Sequence, residues 1–257
     1  MENTCLFCRT NRGPFKNTPH LIPESLGNKA LTLKGYECDD CNQYYAELEN
    51  YFVHHHPASA SRLFSPIKTK KGKPPNQQLE RGEGRQQPDG QITFALSSHS
   101  ISMSGTEIVV SAEANLPDAD TKKISRVLAK MALETLFLVE GERAFDPEFD
   151  PIRNYARFGT GMKFMPFLWR FQNEVSNLVH LMKASESGSG FLVARIAVIG
   201  CVFFVPLNKH SDSRMLDGLA LEFSLNKVNE AGMMKRDPVK FQAVARAREP
   251  EVISVLG

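Results

Sequence analysis

The sequence predicts an α+β chain: a small cysteine-stapled module at the N-terminus, then a separate mixed domain of strands and inserted helices. Three observations predict it. Four of the five cysteines fall as two C-x-x-C pairs within the first 41 residues. Strand-like text precedes helical text from residue 91 onward, and nothing repeats as βαβ units. A Pro-, Gly-, Gln- and Lys-rich stretch separates the two regions. The divisions read as residues 1–56, 57–90 and 91–257.

Composition narrows the class. A chain of 257 residues is long enough for one large or two modest domains. Hydrophobic residues make up 42% and charged residues 23%, which excludes wholesale disorder, collagen-like repeats and a coiled-coil rod. With 31 Lys and Arg against 29 Asp and Glu, whole-chain charge points to no partner class. No apolar run approaches the ~20 residues a membrane helix needs. The N-terminal text has no apolar signal core. The expectation is a cytoplasmic protein without membrane contact.

The cysteines come first. Cys5 and Cys8 are separated by 29 residues from Cys38 and Cys41. In a reducing compartment such pairs fit a tetrahedral thiolate zinc site better than disulfides. Four thiolates fill the shell, so this Zn²⁺ would be structural and would staple a segment too small for its own core. Cys201 sits in an apolar run and reads as a buried strand residue.

A helix follows the second pair. At about 100° per residue, Asn42, Ala46, Glu49 and Val53 share one stripe, while Tyr44, Tyr45, Leu48 and Phe52 share another that would pack inward. His54, His55 and His56 end this helix, where the dipole favours them, and read as capping or solvated residues. Residues 57–90 then read as linker or extended loop. From Arg62 to Arg85 there are seven Lys or Arg and two acids, a net +5 that leaves the rest of the chain at −3. Lys68, Lys70, Lys71 and Lys73 are its densest part. Such a segment grips phosphate and reads no bases.

The second domain opens with strands at Gln91–Ser97, Ile101–Met103 and Glu107–Ala112, with Ser104-Gly105 as a hairpin turn. A helix capped by Asp120 carries Ile124, Val127, Leu128, Met131, Leu136 and Phe137 at helical spacing and stops at Gly141. Asp150-Pro151 starts another, ending at Gly159. Val175–Met182, Phe191–Ile199 and Cys201–Pro206 read as strands, with Ser185–Gly190 as a turn. The text from Pro238 to Gly257 is ambiguous. Arg126, Lys130, Arg153 and Arg157 read as solvated helix faces.

Between the cysteine pairs lies His20-Leu21-Ile22-Pro23-Glu24-Ser25-Leu26-Gly27-Asn28, and Asn42 follows Cys41 directly. This order (C-x-x-C, H-[LI]-I-P-x-x-L-G, C-x-x-C-N, then a helix with a glutamate) resembles the HNH endonucleases over residues 5 to 56. The resemblance implies the ββα-metal (His-Me) finger, a hairpin and a helix around one catalytic cation. It implies His20 as the general base and Asn42 as a ligand of Mg²⁺ or Mn²⁺. Glu49 is proposed as a second ligand or a holder of a metal-bound water. The chemistry agrees: phosphodiester hydrolysis needs a base near neutral pH and a hard cation on the phosphate. Pro19 departs from the pattern, since many members carry Asp, Glu or His there as a ligand. Glu49 or Glu24 must then replace it, or the cation is held weakly, or the site is inactive. Asn28 is the nearest residue to an orienting group, and equally reads as a turn residue.

The expected function is a metal-dependent endonuclease acting on DNA, with RNA less favoured, in a bacterial defence or restriction-like role. The second domain would select or regulate. A double-strand cut by one such module per chain implies a homodimer. A small-molecule or protein activator, and a non-catalytic zinc-ribbon nucleic-acid binder, are the competing readings.

Overall fold

The computed structural model describes residues 3–55, 62, 67, 76–79, 82–86, 92–96, 101–104, 107–114, 118–162, 168–171, 177–184, 191–208, 239–248 and 252–256. Within them the chain is a mixture of helices and small antiparallel sheets, with the four cysteines gathered at its N-terminal end.

Three α-helices carry the packing: α1 (Asp39–His55), α2 (Asp118–Glu140) and α3 (Asp150–Phe158). Helix α1 begins right after Cys38, with Asp39 and Asp40 in its first turn, where acids suit the dipole. Helix α2 is the long apolar-stripe helix expected from residue 120, and runs 23 residues. Helix α3 has Pro151 in its first turn and ends on Gly159 in the left-handed region (φ 69°), the stop expected there.

The strands form three sheets. The first orders β1 (Asn76–Leu79), β2 (Gly82–Gln86) and β3 (Ile92–Leu96). The linker expected over 57–90 therefore contains two strands. Glycine- and glutamine-rich composition describes an isolated segment; Glu83 opposite Ala95 and Arg85 opposite Thr93 show that β3 supplies a partner. The second sheet orders β11 (Val252–Leu256), β10 (Val239–Arg248), β5 (Glu107–Ala114) and β4 (Ile101–Ser104). The ambiguous terminal text is thus strand, pairing across the chain to β5. The third sheet orders β6 (Leu168–Phe171), β9 (Cys201–Pro206), β8 (Phe191–Val198) and β7 (Leu178–Ala184). Strand β6 was not expected. The turn expected at 185–190 and the second hairpin-turn residue, Gly105, lie outside the described residues.

Strand β9 is buried along its whole length, and Cys201 is one of its core residues. The β8–β9 turn holds Ile199 at φ 40° and Gly200 at φ 81°, with Val198 paired to Cys201. Two left-handed residues in a two-residue loop match the twist of the strands they join. Helix α2 packs on this sheet and on α1. The rings of Phe52 in α1 and Phe203 in β9 are 5.8 Å apart. One hydrophobic cluster runs from Cys5, Leu21 and Ile22 through Tyr45 and Phe52 to Leu128, Ile152 and Phe203. No described helix is long and apolar enough to cross a membrane.

Candidate metal centre

Each C-x-x-C pair is shaped by its backbone. The amide of Cys5 donates to the Thr10 carbonyl and the amide of Arg9 donates to the Cys5 carbonyl, both at 2.9 Å. Arg9 takes φ 58° to close this turn. Leu6 N–H donates to the Tyr36 carbonyl at 2.8 Å and so joins the first knuckle to the approach of the second.

The four sulfurs then converge. The Sγ atoms of Cys5, Cys8, Cys38 and Cys41 all lie within 4.8 Å of one another, and those of Cys8 and Cys38 are 3.6 Å apart. A tetrahedral ion with bonds of about 2.3 Å separates its sulfurs by about 3.8 Å. The site therefore fits a metal such as zinc. The Cys38 amide also donates to Cys5 Sγ at 3.4 Å. Electrostatics agrees. The bond from Cys41 draws the Cys5 thiol down to about 4. Burial pushes Cys38 up to about 12, and its bond to Cys5 pushes Cys41 higher still. A divalent cation bound to four such sulfurs displaces their protons.

The His20 loop is built beside the centre. His20 forms an isolated antiparallel bridge with Thr32. Leu21 N–H donates to the Leu31 carbonyl at 2.9 Å, and Leu33 N–H donates to the Pro19 carbonyl at 3.0 Å. These bonds make a minimal hairpin with a 3₁₀ turn, Glu24–Leu26, at its tip. Asn28 is buried and organises the tip. Its Nδ2 donates to the Ile22 and Leu31 carbonyls at 2.9 and 3.0 Å, and its Oδ1 accepts from Ala30 and Leu31 amides at 3.1 and 2.9 Å. So Asn28 is an internal clasp, which its Gly-Asn turn text only partly announced. Asn177, just before β7, donates to the Leu26 carbonyl at 2.8 Å. The segment leading to His20 is fixed to α1: Asp39 Oδ1 accepts the amides of Lys16 and Asn17 at 3.0 Å, and Asp39 N–H donates to the Pro14 carbonyl at 2.9 Å.

The expected site residues fall as follows. His20 is half-buried on the bridge, and among the described residues its ring has no hydrogen-bond partner. Asn42 is half-buried in the first turn of α1, beside Cys41. Pro19 is buried, its carbonyl paired with the Leu33 amide. Glu49 is committed elsewhere: its Oε1 lies 3.0 Å from Lys130 Nζ on α2. On α1, Val53 is buried with Tyr45, Leu48 and Phe52, so Glu49 lies within the inward-facing arc. Tyr44 faces arginines: Arg126 bonds its hydroxyl, and the Arg157 guanidinium lies 3.8 Å from its ring centroid.

Of the four cations expected on solvated faces, two are buried and two are half-buried. Lys130 and Arg153 are 1% and 2% exposed, and Arg126 and Arg157 are half-buried. Lys130 Nζ lies 2.8 Å from Glu134, 3.0 Å from Glu49 and 3.7 Å from Glu37. Burial raises Glu37 to about 7 and holds Glu134 well above the usual carboxylate range, although Lys130 pulls both down. Among the described residues, both Glu37 oxygens, Glu134 Oε2 and the Tyr45 hydroxyl lack hydrogen-bond partners. The signal for this network was present. Lys130 and Glu134 are four apart, flanked by Ala129, Met131, Ala132 and Leu133, so the helix is apolar around them.

His54 and His55 are exposed, their Nδ1 atoms 2.8 and 3.0 Å from the Asn50 and Tyr51 carbonyls, which fits helix capping. Lys68, Lys70, Lys71, Lys73 and His56 lie outside the described residues. Arg62 is buried and Arg85 exposed, so the basic stretch does not present all its charge to solvent. No family model, curated protein or solved structure matches this chain.

Proposed function

We propose that the chain is a zinc-stabilised HNH-type endonuclease that hydrolyses phosphodiester bonds in DNA with the help of a divalent cation. The single observation that carries this reading is the attachment of the His20 hairpin and the Asn42 turn of α1 to one cysteine centre. Asp39 and the Pro14 carbonyl lock the approach to His20 onto the start of α1. His20 takes the proton of the attacking water on a ring nitrogen. Asn42 would be a ligand of the cation. Mg²⁺ or Mn²⁺, when bound, supplies a clamp on the phosphate oxygen and stabilisation of the leaving group. Glu49, two turns further along α1 and paired with Lys130 at 3.0 Å, would hold a metal-bound water. The lysines at 68, 70, 71 and 73 contact backbone phosphates. A bacterial defence or restriction-like role, with two chains acting together for a double-strand cut, follows from the same reading.

A second reading is favoured by two specific observations: buried Pro19 offers no ligand, and Glu49 is held by Lys130. It makes the module a non-catalytic zinc-bound nucleic-acid binder. The experiment is plasmid cleavage in Mg²⁺ or Mn²⁺ by the wild type and by His20→Ala of equal zinc content. Nicking by the wild type alone supports the nuclease. Salt-sensitive binding by both proteins, with cleavage by neither, supports the binder; cleavage restored by an added nucleotide or protein supports a gated effector.

A further inference from the structure

Several cations of this chain are neutralised where they stand: Arg9, Lys130, Arg143 and Arg153 each face carboxylates. A second group is not. Among the described residues, Lys122, Lys123, Arg126 and Arg157 pair with no carboxylate. They gather where the N-terminal half of α2 meets α1 and the end of α3. The Arg157 guanidinium lies 3.8 Å from the Tyr44 ring centroid and 5.4 Å from that of Phe158. Arg126 lies 5.4 Å from the same Tyr44 ring, bonds its hydroxyl, and donates to the Ala156 and Arg157 carbonyls at 3.3 and 2.7 Å. Lys123 Nζ stands 4.4 Å over Tyr51, whose ring stacks on His55 at 4.0 Å. Lys122 lies against the end of α3, where a Cβ on Gly159 would be 3.1 Å from its Cε and 3.6 Å from Arg126 Cδ. Rings and carbonyls carry no net charge, so they position these cations without cancelling them. Both lysines are exposed, and Arg157 Nε has no hydrogen-bond partner among the described residues.

We propose that this face, built by Lys122, Lys123 and Arg126 of α2 and Arg157 of α3 on the tyrosines of α1, is a second contact surface for the phosphate backbone of DNA, separate from the lysines at 68, 70, 71 and 73. DNA offers a regular row of phosphates, one every ~3.4 Å along each strand, and a fixed array of uncancelled cations suits such a row. A guanidinium held flat on a ring keeps its outer nitrogens for phosphate oxygens, and the lysines add point charges beside it. Such contacts position a duplex and read no bases. Tyr44 and Tyr51 stand about 160–200° round α1 from Asn42, so the grip is apart from the groups assigned to the chemistry. The inference rests on the nucleic-acid reading above and names a surface within it.

The test uses the full zinc-loaded chain and a short fluorescent DNA duplex, with no Mg²⁺ or Mn²⁺ added, and follows binding by anisotropy over a series of salt concentrations. The double variant Lys122→Gln/Lys123→Gln should bind more weakly throughout and lower the slope of log K against log salt by about 2, since each phosphate contact contributes about 0.9. Arg157→Gln should lower it by about 1. Arg143→Gln removes the same unit charge from an arginine already facing Glu140 and Glu148, and should keep the wild-type slope. A lysine double variant with wild-type affinity and slope overturns the proposal, and these exposed positions decide it even where Arg157→Gln fails to fold. A wild type that takes up vesicles of anionic lipid and not the duplex overturns it too. Plasmid cleavage in Mg²⁺ or Mn²⁺ is read beside the binding. Binding lost with the lysines, in a wild type that never cuts, supports this surface and removes the nuclease reading. Cutting by a wild type whose lysine double variant binds unchanged removes this surface and leaves the nuclease.

Discussion

Lys130→Met removes the ammonium that Glu37, Glu49 and Glu134 surround at 3.7, 3.0 and 2.8 Å. Methionine nearly preserves the volume, so the cavity term is small. The charge term is large, because two of the three carboxyls are only 1% exposed. Losing one side of a buried ion cluster costs about 3–5 kcal/mol, against a total stability of about 5–15 kcal/mol. The pH dependence has a definite sign. Burial raises Glu37 from 4.5 to about 7 and raises Glu134 too, so the folded state holds their protons more tightly than the unfolded chain. For Glu37, that stabilisation is present below 4.5 and is lost as pH rises through about 7. Without Lys130 both carboxyls shift further upward, so the substitution should cost most above neutrality. Urea unfolding of the zinc-saturated chain at about pH 6 and about pH 8 measures this. The expected loss is about 3–5 kcal/mol at the higher pH and clearly less at the lower. A loss below about 1 kcal/mol at the higher pH, or equal losses at both, refutes the reasoning. Adding Glu134→Leu should recover part of the stability.

Three further outcomes follow from the same geometry. The purified chain should carry one zinc, and Cys38→Ser should lose it, with chelation of the wild type unfolding the N-terminal module; elemental analysis and thiol titration check this. Asn28→Ala removes two donated and two accepted bonds from the His20 loop and should lower stability by about 2 kcal/mol or more; a thermal melt unchanged from wild type would contradict the clasp. Gly27 sits at φ 88° with the place of a Cβ only 2.7 Å from Ile67 Cδ1. Gly27→Ala should therefore cost at least about 1–2 kcal/mol, and a melting temperature equal to wild type would show that Ile67 moves aside freely.

What could be read from the residues was what neighbouring residues decide. The cysteine spacing announced a metal-capable cluster because two knuckles supply four sulfurs whatever lies around them. Asp150-Pro151 and Gly159 marked both ends of α3, since proline and glycine act through their own backbone. The pairing of β4 with β5 followed from one short turn. Partners far along the chain were not legible. Whether Arg153 is solvated depends on the Leu6 carbonyl 147 positions earlier. Whether Glu49 is available depends on Lys130. Strands β1 and β2 carry little apolar text; they are strands because β2 pairs with β1 on one side and with β3 on the other. The same limit applied to α1, where the pattern separated Val53 from Phe52 although both are buried.

An arm that holds the first cysteine knuckle comes late in the chain. The thiols are complete once Cys41 has been made, whereas Arg153, which bonds the Leu6 carbonyl, follows more than a hundred residues later. In a chain growing from its N-terminus, the metal-binding set exists before this arginine does. Closing the short cysteine loop costs little entropy, and docking α3 across so long a separation costs more and comes later. The order written into this polypeptide is ligands first and cover second.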